Sequence, residues 1–171
     1  MKKNFKLAFV VLAAICMGQQ VKAQVHDAQA NVNIILTDAM SITLNTSDVN
    51  IEYATAADYG GPKTKSMPNH FKVISNKTYD VQVEIDNQFS PALNLSNLGL
   101  TVRVASSTPT GGGLTDAILT TISTPQALVT GAPASVGTLY NVDYIIPEAT
   151  ELLDKTAGTY SSTVTYRISA N

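Results

Sequence analysis

Along most of this chain the apolar side chains recur at every second position, and no long stretch shows the 3.6-residue spacing of a helix. That regularity constrains the fold more than any motif does. Tyr79, Val81, Val83 and Ile85 form the clearest run, with polar residues between them, as in a strand with one face on a core. Val32, Ile34 and Leu36 alternate in the same way, and the parity resumes at Met40, Ile42 and Leu44 after Asp38-Ala39. Further runs are Val49, Ile51 and Tyr53; Phe71 and Val73, after the Met67-Pro68 breaker; Leu100, Val102 and Val104; and Tyr140, Val142, Tyr144 and Ile146. The closing run carries Tyr160, Val164, Tyr166 and Ile168 on one face and Thr163, Thr165 and Arg167 on the other. About eight strands punctuated by Gly, Pro, Asn and Ser predict an all-β chain, a single immunoglobulin-like antiparallel β-sandwich over residues 24–171.

The connections follow from local chemistry. Ser75-Asn76-Lys77 has the length and polarity of a hairpin turn. Helical turns are expected at Thr55–Tyr59 and at Pro147–Asp154, where Glu148 and Glu151 would favour a first turn after proline. Ser106–Gly113 reads as a flexible loop, with Gly111-Gly112-Gly113 at its tip. The closing strand is expected to be central to the sandwich, since its apolar face calls for partners from earlier segments.

Residues 1–23 have the layout of a secretory signal peptide. Lys2, Lys3 and Lys6 precede an apolar stretch from Leu7 to Met17, and Val21-Lys22-Ala23 supplies a small-residue cleavage site. The apolar stretch is too short for a comfortable membrane span, so no transmembrane segment is expected after cleavage. Cys16 follows Ile15, where lipidation sites want a small residue, which favours an ordinary signal peptide. The remaining chain has no cysteine, so a packed core must hold the fold without disulfides. It keeps seven Lys and Arg against 13 Asp and Glu, a balance that disfavours nucleic acid or an anionic membrane as partner.

Reactive groups are sparse. There is no thiol nucleophile, no G-x-S-x-G and no glycine-rich loop leading into Lys-Ser/Thr. The carboxylates lack calcium-loop spacing, and His26 and His70 have no reason in sequence to meet at a metal. No enzyme activity and no cofactor is expected. Three Asn-x-Ser/Thr triplets begin at Asn45, Asn76 and Asn94, a number that chance explains in so Asn- and Thr-rich a chain. Tyr59, in "AADYGGPK", stands out as a loop aromatic that could stack on a sugar or a protein partner.

The segments "ANVNIILTDAMSITLN" and "DKTAGTYSSTVTYRISAN" resemble the first and last strands of secreted bacterial β-sandwiches, namely spore-coat-U-type and chaperone–usher pilin subunits and WxL-type surface domains. The stretch "YATAADYGGPKTKSMPNHFKVISNKTYDVQVE" resembles small secreted proteins of Bacteroidetes-type bacteria. There is no Trp to supply a W-x-L motif, and the cysteines of many pilin subunits are absent. Tyr160, just after Ala157-Gly158, resembles the tyrosine corner of immunoglobulin-like sandwiches, and Ser162 stands where antibody domains place a cysteine. The resemblance implies a secreted, periplasmic or outer-surface structural or adhesive protein. It could be a fibre subunit in which Ala30, Val32, Ile34 and Leu36 form a donated strand; in a monomer the same segment would pair at home. The partner would then be another copy or a surface protein. The alternative is a carbohydrate- or ligand-binding module, with Tyr59 in its platform.

Overall fold

A computed structural model describes residues 28–171. The expected signal peptide, Cys16 and His26 lie outside the described residues. The chain falls into two units, residues 1–35 and residues 36–171. In the first, residues 28–35 adopt neither helix nor strand, and Val32, Ile34 and Ile35 are 82–86% exposed.

The second unit is an all-β, antiparallel, two-sheet sandwich with nine strands among the described residues. They are β1 (Met40–Leu44), β2 (Lys63–Ser75), β3 (Tyr79–Ile85), β4 (Thr101–Thr108), β5 (Gly113–Leu114), β6 (Ala117–Ile118), β7 (Gln126–Ala132), β8 (Ser135–Ile146) and β9 (Val164–Ala170). One sheet has the order β1-β2-β8-β4-β6 and the other β5-β7-β3-β9. Thr138, Tyr140, Val142, Tyr144 and Ile146 of β8 are all buried, and the residues between them are part-exposed, which is the alternation of a strand with one face on a core. Across the interior lie Tyr79, Val81, Val83 and Ile85 of β3, each fully buried.

Several connections differ from the sequence expectation. The turn after Ser75 does not close a hairpin. β2 uses both its edges on β1 and β8, and β3 uses both of its own on β7 and β9, so the turn carries the chain from one sheet to the other. Met67-Pro68 does not break β2 but sits in its middle. Met67 pairs with Val142 and Phe71 with Tyr140, so Pro68, Asn69 and His70 bulge out opposite Asn141 alone. Proline is tolerated there because the excursion needs no ladder hydrogen bond from it. Asn69 takes φ 48°, and its backbone N–H donates to the Asn141 side-chain oxygen (2.6 Å).

Residues 49–53 form no strand, yet Val49, Ile51 and Tyr53 pack against the core as their alternation suggested. β9 is the end strand of its sheet and pairs with β3 alone, so the closing strand is not central. The triple glycine is no flexible tip. Gly111 is buried, and a Cβ there would lie 2.5 Å from the Tyr140 hydroxyl; Gly112 takes φ 75° with Thr130 and Ala132 against it. Glycine is required where backbone and core approach this closely.

Two helical turns fall where the sequence placed them, at Ala56–Tyr59 and Thr150–Leu152, both of the tighter 3₁₀ type. A further short helix, α1 (Leu95–Leu98), is capped by the Asn94 side chain, which accepts from the Asn97 N–H (3.2 Å), and ends at Gly99 in the left-handed conformation. Glu151 ties this helix to the later turn by accepting from the Asn94 backbone N–H (2.8 Å) and the Asn97 side chain (3.3 Å). No helix among the described residues is long and apolar enough to cross a membrane.

Candidate functional site

The feature that sets one side of the sandwich apart is an open seam between β1 and β9. Register fixes which side chains face inward. Met40, Ile42 and Leu44 of β1 stand opposite Ser75, Val73 and Phe71 of β2, all three buried, so the β1 residues share the core-facing parity. Even so, Met40 is 39% and Leu44 42% exposed, because no strand of the other sheet covers them fully. On β9, Val164, Tyr166 and Ile168 face inward by the same logic, opposite Ile85, Val83 and Val81. Val164 and Ile168 are only partly buried. Between the two end strands runs a groove of about 310 Å³, lined by Ile42, Leu44, Val164, Thr165 and Tyr166. Each flanking strand presents one edge with no strand partner among the described residues.

The polar face of β9 is occupied. Arg167 Nε donates to Glu84 Oε1 (2.7 Å), and the Thr165 hydroxyl donates to Asp86 Oδ2 (2.6 Å). Beneath the groove the interior is aromatic and polar together. The Tyr144 and Tyr166 hydroxyls share a hydrogen bond (2.7 Å), as do those of Tyr79 and Tyr140 (2.8 Å), and each pair joins one sheet to the other. His70 Nε2 lies 2.9 Å from the Tyr144 hydroxyl, and Phe71 stacks on Tyr140 at 4.6 Å. Burial pushes the Tyr144 phenol up to about 12, against the lowering effect of its bond with Tyr166. Burial also raises Tyr140 and Tyr166, with Tyr79 and Tyr144 respectively adding to it, and lowers His70.

Ala30, Val32, Ile34 and Leu36 lie outside every strand, and all four are exposed. Val32, Ile34 and Leu36 stand among the most exposed large apolar side chains described. Residues 28–39 themselves adopt no strand.

Tyr59 ends the 56–59 turn and is 39% exposed. Its ring is tilted 50° against Tyr53 at 5.0 Å. Asp58 organises the turn, accepting from the Ala54 N–H (2.9 Å), the Thr55 N–H (2.8 Å) and Lys63 Nζ. The Lys63 ammonium, then the Thr55 bonds, hold the Asp58 carboxyl well below the usual carboxylate range. Lys63 Nζ also lies 5.7 Å from the Tyr53 ring centre. A nearby groove of about 250 Å³ is lined by Asn50, Ile51, Glu52, Ala54, Asp58, Lys63, Thr64 and Lys65, and Tyr59 is not part of its wall.

The three Asn-x-Ser/Thr asparagines are structural. The Asn45 amide donates to the Asn69 carbonyl (2.6 Å), that of Asn76 donates to the Thr37 carbonyl (2.7 Å), and Asn94 caps α1. The tyrosine-corner expectation holds in its contact: the Tyr160 hydroxyl donates to the Thr156 carbonyl (2.8 Å). Ser162 bonds the Asn87 carbonyl (2.5 Å) and does not enter the core. No group of three or more His, Cys, Asp or Glu among the described residues could hold a metal ion.

The seam itself could not have been found by patterning. The parity of Met40, Ile42 and Leu44 was legible, but whether another strand covers them depends on sheet order. The buried His70 likewise carried no signal, because its inward placement comes from the bulge. No known protein family matches this chain, and no curated protein matches it.

Proposed function

We propose that this is a secreted or surface-located structural or adhesive protein whose copies join by strand donation. Residues 30–36 of one copy lie along the groove between β1 and β9 of the next, with Ala30, Val32, Ile34 and Leu36 turned into it. The observation that carries this reading is a matching pair of uncovered apolar surfaces. One is an exposed alternating segment and the other is a core-facing seam with free backbone edges beside it. The occupant would gain main-chain hydrogen bonds from an end strand and bury side chains worth about 1.5–3 kcal/mol each.

The decisive test uses the mature full-length chain. Size-exclusion and sedimentation measurements should show concentration-dependent association. Ile34→Asp should abolish it while leaving the fold intact, and Asn33→Asp, on the opposite parity, should leave it largely in place. A protein monomeric at every concentration, or equal behaviour of the two aspartates, would overturn the proposal. The ligand-binding reading centred on Tyr59 draws less support, since that ring is committed to Tyr53 and does not line the adjoining groove.

A further inference from the structure

The groove wall is held in place by a histidine in an environment that suits only its neutral form. His70 is 2% exposed. Its Nε2 contacts the Tyr144 hydroxyl at 2.9 Å, and Tyr144 contacts Tyr166, a residue of the groove wall. Its other ring nitrogen, Nδ1, is buried and has no hydrogen-bond partner. A neutral imidazole leaves one nitrogen unsatisfied there, whereas an imidazolium would bury a net charge and a second N–H with nothing to accept it. Tyr144 of β8 and Tyr166 of β9 are the titratable groups that face the ring. Burial keeps both protonated far above neutral pH. Burial lowers His70, and its side-chain contacts among the described residues, Tyr144 and Tyr166, carry no charge to offset an imidazolium. From the β1 side the neighbouring residue is uncharged Asn45.

The position of His70 connects this chemistry to the groove. It is the last residue of the Pro68-Asn69-His70 excursion, which stands outside the β2–β8 register and is joined to β8 through the Asn69 N–H bond to the Asn141 side chain. The same excursion fastens the end of β1: the Asn45 backbone N–H donates to the His70 carbonyl (2.8 Å), and the Asn45 amide donates to the Asn69 carbonyl (2.6 Å). Asn45 follows Leu44, a groove-lining residue.

We propose that His70 is an acid-sensitive latch on the groove: protonation drives the excursion out of the core, releases Asn45, and frees the Leu44 end of β1. The consequence for assembly rests on the strand-donation reading; the latch does not. Below about pH 6.5, the ordinary histidine value, the unfolded or opened chain takes up the proton more readily than the latched one, so latching weakens as pH falls.

The test is amide hydrogen exchange of the full-length mature protein carrying Ile34→Asp, followed by NMR from about pH 7.5 to about pH 5 and corrected for intrinsic exchange. Protection of the β1 amides should fall roughly 10-fold relative to those of β8 for each unit of pH from about 6.5, the opened-state value, down to the lowered midpoint of His70 in the folded protein. The fall should follow the imidazole titration and vanish in His70→Phe, which keeps an aromatic ring. Where that variant does not fold, His70→Gln and the wild-type imidazole midpoint serve instead. Protection of β1 that ignores pH, that falls equally without the histidine, or that falls only together with β8 would overturn the latch. Association of the unmodified chain is measured separately, so a chain that never associates removes strand donation and leaves the latch result standing.

Discussion

The two lateral sides of the sandwich solve the same problem in opposite ways. On one side the sheets end in β5 and β6, two residues each, and residues 119–125 cross between the sheets. There the Leu119 N–H donates to the Leu100 carbonyl (2.8 Å), the Ser123 N–H donates to the Ile85 carbonyl (2.8 Å), and Ile122 bridges to Ile85. Ala117 and Leu119 are consequently buried. On the other side the end strands are longer, no segment among the described residues crosses, and Met40 and Leu44 of β1 stay partly in water. A sandwich of this size can seal its edges, and does so on one flank. The unsealed flank is therefore a local property of β1 and β9 and does not reflect a shortage of core.

The largest contrast is expected from placing one charge on each flank. Ala117→Asp, on the sealed side, would bury an unpaired carboxylate and should cost more than about 3 kcal/mol, enough to abolish the folded circular dichroism signal at 37 °C. Met40→Asp, with the same inward parity on the open side, should cost about 1 kcal/mol, since water already reaches that position. Comparable losses in urea melts would mean the two flanks do not differ as described.

Truncation sharpens the same comparison. Leu119→Ala should destabilise by about 2–5 kcal/mol, within the range for buried leucines, and Leu44→Ala by roughly 1 kcal/mol. If the order were reversed, β1 would have to be packed in solution by something the fold does not show.

A third test uses alkali. With Tyr144 at about 12 and Tyr140 and Tyr166 also raised, stability is fully present below about pH 10, where a free tyrosine would ionise, and is lost as pH rises through the folded values. Urea melts at about pH 9 and pH 11 should show the decline. Tyr166→Phe, beside the open groove, should flatten it in part at a cost of about 1 kcal/mol near neutral pH. A pH-independent midpoint would remove the buried hydroxyl pairs from the account. The smallest effect is assigned to Tyr160→Phe, which loses one partly exposed bond to Thr156 and should cost about 0.5–1.5 kcal/mol in the same melts.

How much of this was legible in the sequence depends on whether a property is local. The faces of β3, β8 and β9 were, because alternation survives wherever a strand has one dry side. β7 was not: Leu128 and Val129 are adjacent and both buried, because the register shifts near them and the alternation breaks. The turn after Ser75 looked like a hairpin because its length and polarity suit either a hairpin or a crossing between sheets, and only the partners of β2 and β3 decide. Of the candidate site, the exposed alternation of residues 30–36 was visible. The groove that would accept it depends on which strands end each sheet, which no window of sequence records.

The excursion in β2 has one more consequence, for how this chain can change in length. Three residues stand opposite one, so the two halves of β2 keep the same inward parity, with Met67 and Phe71 both turned to the interior. The excursion thus acts as a reading frame for the sheet. Insertions or deletions of two residues within 68–70 would keep the frame. A deletion of one would invert everything before it, turning Ser66 and Thr64 inward and Met67 out, unless the pairing with β8 slipped to compensate. Among sequences descended from this one, length differences at this place should therefore come in even steps.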